Sequence, residues 1–120
     1  MLSSLERTTT GTLWHGVLDG AKDRDVNLIT FAAHRLDSPR GFEAQANVLY
    51  DLVSPDRIDG LLIWTGAITS TAGPAGIKRI LEKYRGLPIV ATGESAPEDI
   101  PGVVVDHYRP VHDIVAHLIE

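Results

Sequence analysis

The side chains best placed to meet a ligand stand where short apolar runs stop. Trp64-Thr65-Gly66 follows Ile58-Asp59-Gly60-Leu61-Leu62-Ile63, a run closed by turn residues at both ends. An indole can stack on the flat face of a sugar ring, Thr65 adds a hydroxyl, and Gly66 lets a backbone come close. The plain alternatives are a space-filling Trp64 and a simple turn at Thr65-Gly66. Asp106-His107-Tyr108 follows Val103-Val104-Val105 and combines a carboxylate, an imidazole and a phenol. Asp106 either accepts ligand hydroxyls or caps the helix after it. Thr8-Thr9-Thr10-Gly11-Thr12, just before a helical pattern, resembles a phosphate loop, because a helix N-terminus offers free N–H groups to anions.

All of this is recognition chemistry. There is no Gly-x-Ser-x-Gly elbow, no Walker loop and no Gly-x-Gly-x-x-Gly fingerprint. A phospho-acceptor receiver would want an aspartate where Trp64 stands. No nucleophile is set beside a base, so the sequence predicts a protein that is not an enzyme. The five histidines are scattered and cysteine is absent, so no ligand spacing predicts a metal site.

These stretches need a frame. The chain has 120 residues, 43% hydrophobic and 22% charged, which suits one folded domain with a real core. The net charge of -5, with Lys and Arg nowhere gathered, disfavours a nucleic-acid backbone or an anionic membrane as partner. With no apolar leader or membrane-spanning run, the expectation is a soluble, cytoplasmic protein.

From Leu13 the spacing predicts a helix with Leu13, Trp14, Val17, Leu18 and Ala21 on one face, ended by Arg24-Asp25. Val26 to Ala32 reads as a strand and His34 to Gly41 as a loop. A second helix would bury Phe42, Ala46, Leu49 and Val53 before Ser54-Pro55-Asp56 breaks it. The run ending at Trp64 reads as a strand buried on both faces. Ala67 to Ala75 is expected to be a flexible loop. Ile77, Ile80, Leu81 and Tyr84 mark a third helix, with Gly86 as its αL terminator. Leu87 to Thr92 and Val103 to Val105 read as strands. The last helix would carry Val111, Ile114, Val115, Leu118 and Ile119 on one face.

The order α-β-α-β-α-β-β-α predicts an α/β fold: three layers, with a mostly parallel, doubly wound sheet of Rossmann-like or flavodoxin-like type. Such a unit begins with a strand, and here that first strand is expected to be lacking. Three outcomes follow: Met1–Arg7 supplies a strand, a neighbouring chain fills the gap, or Leu28–Phe31 moves over to pair with Leu61–Trp64. Ligands of open parallel sheets bind beyond the carboxyl ends of the strands, which is where Trp64, Thr65 and Gly66 stand.

From Leu13 onward the sequence resembles the LacI/GalR-type sugar-binding domain, which is similar to type I periplasmic binding proteins. The residues that carry the likeness are Leu13 to Ala21 with Val26-Asn27-Leu28-Ile29, then Ile58 to Ile63, Leu87-Pro88-Ile89-Val90, and His117-Leu118-Ile119-Glu120. The clearest part is Val103-Val104-Val105-Asp106-His107-Tyr108, close to that family's Val-Asp-Asn-Tyr signature with His107 in place of Asn. Gly41 to Leu52 looks like versions of the domain found in bacterial signalling proteins. The resemblance implies the N-terminal lobe of a two-lobed sensor, in a transcriptional regulator or a signalling protein. A small effector, possibly a sugar, would lie in the cleft, and the lobes would form homodimers. It implies ligand-facing positions at Thr10, Gly11 and Thr12, at Trp64, Thr65 and Gly66, at Gly93 and Glu94, and at Asp106 and Tyr108, without a cofactor. Two alternatives stay open: a flavodoxin-like nucleotide- or flavin-binding domain, and a lobe whose function is dimerisation alone.

Overall fold

The computed structural model describes residues 2–3, 8–93, 97 and 99–119, and for residues 2, 3 and 8–10 the backbone alone. The fold is α/β. Five parallel strands lie in the order β2-β1-β3-β4-β5: β1 Leu2–Ser3, β2 Phe31–Ala32, β3 Leu61–Trp64, β4 Ile89–Gly93 and β5 Gly102–Val104.

The expected gap at the centre is filled from within the chain. Leu2–Ser3 forms a two-residue strand that pairs Leu2 with Phe31 on one side and with Ile63 on the other. This corrects the expectation of a sheet lacking its first strand, and of the three outcomes it is the first that occurs. β2 pairs with β1 and does not shift across to β3.

β3 is placed as its apolar run dictates. Leu61 and Ile63 are buried on one face, and Leu62 and Trp64 are half-buried on the other. On the buried face Leu61 and Ile63 join Ile68 of α3 (Thr65–Thr69), Ile80 of α4 (Gly73–Lys83), Tyr84, Tyr50 and Val53 in one core. Two tyrosines are admitted because their hydroxyls are spent: Tyr84 donates to the Tyr50 carbonyl at 2.6 Å and Tyr50 to the His34 carbonyl at 3.0 Å. Burial, with Asp51 nearby, pushes the Tyr84 phenol up to about 12, and burial, with Tyr84 nearby, raises Tyr50 further.

Other expectations are corrected. The Thr-rich stretch is not a loop, because α1 spans Thr8–Asp23 and so contains Thr10, Gly11 and Thr12. Asp25 (φ 51°) ends α1 in the left-handed conformation that Asp tolerates better than most residues. Its N–H donates to Lys22 O and that of Val26 to Ala21 O, a Schellman ending. Of Val26 to Ala32 only Phe31–Ala32 is strand, and Val26 and Ile29 are exposed.

The second helix is α2 (Gly41–Ala46) followed by a 3-10 helix, Asn47–Leu52. A period of three turns Asn47, Tyr50 and Val53 to the same side. Tyr50 and Val53 are therefore buried, while Phe42, assigned inward by an α-helical period, is 63% exposed and Leu49 also faces out. The stretch Ala67 to Ala75 contains most of α3 and the start of α4 instead of a flexible loop. Gly86 does take a positive φ (106°), two residues past the α4 cap at Tyr84. The last helix, α5 (Tyr108–Ile119), forms where its spacing predicts, but none of its described residues is buried.

Candidate ligand-binding site

The parallel pairing brings several of the singled-out residues to one edge of the sheet. Trp64 is in register with Thr92 of β4, and Gly93 with Val104 of β5. The Val105 N–H reaches the Gly93 carbonyl at 3.4 Å, which puts Asp106 one residue beyond that same edge. Leu2 is opposite Ile63, so Ser3 of β1 is level with Trp64.

The centre of the cluster is a close approach of an indole to a glycine. Gly93 has φ 130°, a conformation that side chains disfavour, and a Cβ there would lie 3.1 Å from Trp64 Cδ1 and 3.2 Å from Nε1. The half-buried ring of Trp64 therefore rests on bare backbone. Thr65 is buried and its hydroxyl donates to the Thr92 carbonyl at 3.3 Å. Thr69 donates to the Thr65 carbonyl at 2.8 Å. The Thr65 hydroxyl thus fastens β3 to β4 beside the indole, and Trp64 and Gly66 are both half-buried.

The other candidates are placed as follows. Asp106 uses one carboxylate oxygen to accept from the N–H groups of Tyr108 (3.0 Å) and Arg109 (3.2 Å), so capping, one of its two sequence readings, is what the geometry gives. Tyr108 is 77% exposed and stacks on His112, 6.0 Å between ring centres. Thr10, Gly11 and Thr12 lie in the first turns of α1, and Thr12 is exposed. Glu94 lies outside the described residues. The structure thus unites Trp64, Thr65, Gly66 and Gly93, with Asp106 at the rim.

A polar group that the sequence reading passed over is buried near the end of β2. Glu43 of α2 accepts from Ser38 Oγ at 2.5 Å and from Arg40 Nη1 at 3.1 Å, with Arg35 Nη2 at 3.6 Å. The Ser38 hydrogen bond, joined by the two guanidinium groups, holds the carboxyl below its usual range against the opposing effect of burial. Its side chain is 3% exposed, yet it lies under its neighbours near the surface, not deep in the core. Asn47 completes the clasp: its Oδ1 accepts from the His34 N–H at 2.9 Å and its Nδ2 donates to the Arg35 carbonyl at 3.0 Å. The signal was an asparagine on the side that a three-residue period turns inward, with a glutamate one α-helical turn before it. Their hydrogen bonds hold the loop after β2 against α2 and the 3-10 helix, and the Leu36 N–H ties the same loop to α3 at the Ile68 carbonyl, 2.7 Å away.

The cluster at Trp64 lines neither of two cavities along α4. One, of about 660 Å³, runs along α4 past Ile77, Leu81 and Arg85 to Pro97 and Asp99. It is an open groove, and it adjoins a β4–β5 connection that has no helix among its described residues. The other, of about 310 Å³, lies between Asn47, Tyr50, Arg79 and Lys83. The strand ends are the candidate site, since ligands of open parallel sheets commonly meet the carboxyl edge. Among the described residues no group of three or more His, Cys, Asp or Glu could hold a metal ion. None of their helices is long and apolar enough to cross a membrane.

No protein-family model, curated protein or solved structure matches this chain.

Proposed function

We propose that this chain is a small-molecule-sensing lobe, of the kind the LacI/GalR resemblance implies, in a cytoplasmic regulator or signalling protein that works as a homodimer. The observation that supports the reading is the Trp64–Gly93 contact at the carboxyl edge of an all-parallel sheet. An indole seated there offers a flat apolar face for stacking a ring. The effector is a hydroxyl-bearing ring compound such as a sugar, stacked on Trp64 with Gly66 and Asp106 beside it. The frame is a doubly wound, three-layer sheet, since right-handed crossovers send α1 to the face opposite α3 and α4.

Fluorescence tests this directly. The chain has two tryptophans, so Trp14→Phe leaves Trp64 as sole reporter. A titration with sugars and nucleosides should give a saturable change with Kd on the order of 1 mM, the affinity of a single stacking wall. Silence across such a panel at about 10 mM would sink the reading. The strand order β2-β1-β3-β4-β5 is also that of flavodoxins, which favours a flavin-binding domain as the second reading. Quenching of FMN fluorescence by the chain would move the assignment there.

A further inference from the structure

The groove of about 660 Å³ beside α4 has a topological origin. β4 and β5 are parallel neighbours joined by residues 94–101, whereas such crossovers commonly take a dozen or more residues with a helix among them. The strand order β3-β4-β5 continues in one direction, so a right-handed crossover from β4 to β5 runs on the face that carries α4. No described residue of the connection is helical, and the space beside α4 stays open.

The groove is apolar along α4 and charged at one end. Pro74, Ile77 and Leu81 recur at three- and four-residue spacing, and Ile77 and Leu81 are half-buried. Lys78 and Glu82 answer each other at 4.0 Å. That leaves Arg85 and Asp99. Both are exposed and line the groove, and neither has an ion pair or side-chain hydrogen bond among the described residues. Strand register brings them to one edge. Arg85 precedes β4 by four residues and Asp99 precedes β5 by three. Continuing the pairing of Ala91 with Gly102 sets Asp99 level with Pro88, one strand spacing of about 4.8 Å away. A cation and an anion therefore stand at the amino edge of the sheet, beside an apolar groove, without neutralising each other.

We propose that this groove binds a free α-amino acid with a large apolar side chain. The carboxylate meets the Arg85 guanidinium, the ammonium meets Asp99, and the side chain lies over Leu81 and Ile77. Each charge of the ligand then has a partner of opposite sign. The volume falls within the range of about 300–1,000 Å³ common to small-ligand sites. A simple carboxylic acid would set its charge near Asp99 with nothing to offset the repulsion, and a simple amine would do the same near Arg85. A zwitterion is what the pair selects. The site is independent of the effector reading, because it stands at the amino edge of the sheet and Trp64 at the carboxyl edge.

Titration with L-phenylalanine, followed in proton–nitrogen correlation spectra, tests it. The amides of Leu81, Arg85 and Asp99 should shift saturably, with Kd on the order of 1–10 mM for two exposed charge contacts and one apolar wall. Glycine, which lacks the side chain, and hydrocinnamate and phenethylamine, which each keep the ring and one charge, should bind at least about fivefold more weakly. Arg85→Gln and Asp99→Asn should each weaken L-phenylalanine by a similar factor, with unchanged far-UV circular dichroism. Exchanging the charges, Arg85→Asp together with Asp99→Arg, should restore the binding that either single exchange removes, since a zwitterion can turn round. A spectrum unshifted at about 50 mM overturns the proposal. Equal binding of the acid or the amine also overturns it, showing a site for a ring alone. Shifts confined to the amides around Trp64 and Gly93 overturn it too, placing the ligand at the other edge.

Discussion

α4 and α5 are helices of nearly equal length and equally clear amphipathic spacing, and they meet opposite fates. α4 buries Ile80 against the sheet and runs directly into buried Tyr84, while α5 buries none of its described residues. Connectivity makes the difference. α4 is carried between β3 and β4, strands paired over four residues, so the chain must bring it down onto Leu61 and Ile63. α5 follows the outer strand, and no strand among the described residues follows it to hold it against the sheet. Amphipathic spacing tells which side of a helix avoids water, and the paired strands at its two ends tell where that side goes.

The sharpest way to break this comparison is to truncate both helices alike. Ile80→Ala should cost about 2–5 kcal/mol in urea unfolding, the range for emptying an aliphatic core site. Ile114→Ala, measured at dilutions where no second copy is bound, should fall within about 0.5 kcal/mol of the parent. Equal losses would mean that α5 is packed in the single chain.

A smaller loss is expected at the joint between the two regions. Gly93→Ala must shift the Trp64 indole and strain a positive φ, at about 1–3 kcal/mol. The emission maximum of Trp64 should move to the red as the ring loses its seat; an unmoved spectrum with full stability would show the contact to be loose.

Smallest is the effect of one hydroxyl on the packed side. Tyr84→Phe deletes the bond to the Tyr50 carbonyl and should cost about 1 kcal/mol at pH 7. The phenol ionises near 10 in the unfolded chain and near 12 when folded, so its share of stability is complete below pH 10 and is lost as pH climbs through 12. The variant should therefore show a shallower alkaline limb. An alkaline limb unchanged by the substitution would remove Tyr84 from the account.

The parallel α/β plan was legible because β3 is an apolar run between turn residues and α4 repeats every three to four residues. β1 was not, since Leu2–Ser3 lies in a polar stretch and owes its place to pairing with Phe31 and Ile63, information held by the neighbours. Thr8 to Thr12 misled for a related reason: threonine is a mediocre helix former, yet those residues lie in a 16-residue helix. Trp64, Thr65 and Gly66 were readable as the end of a strand. What they rest on was not, because the seat is Gly93, which only strand register brings across. Asn47, Tyr50 and Val53 escaped because an α-helical period was applied to a segment wound three to the turn.

The two tyrosine hydroxyls have a consequence for how the molecule breathes. Tyr84 holds the segment of Tyr50, and Tyr50 holds the carbonyl of His34, so the end of α4, the 3-10 helix and the loop after β2 are joined in series. None of the three can detach while the others stay, and their slowest amides should exchange with solvent hydrogen in a single cooperative opening. β5 and α5, none of whose described residues is buried, lie outside that linked unit, and their amides should exchange faster than those of the interior.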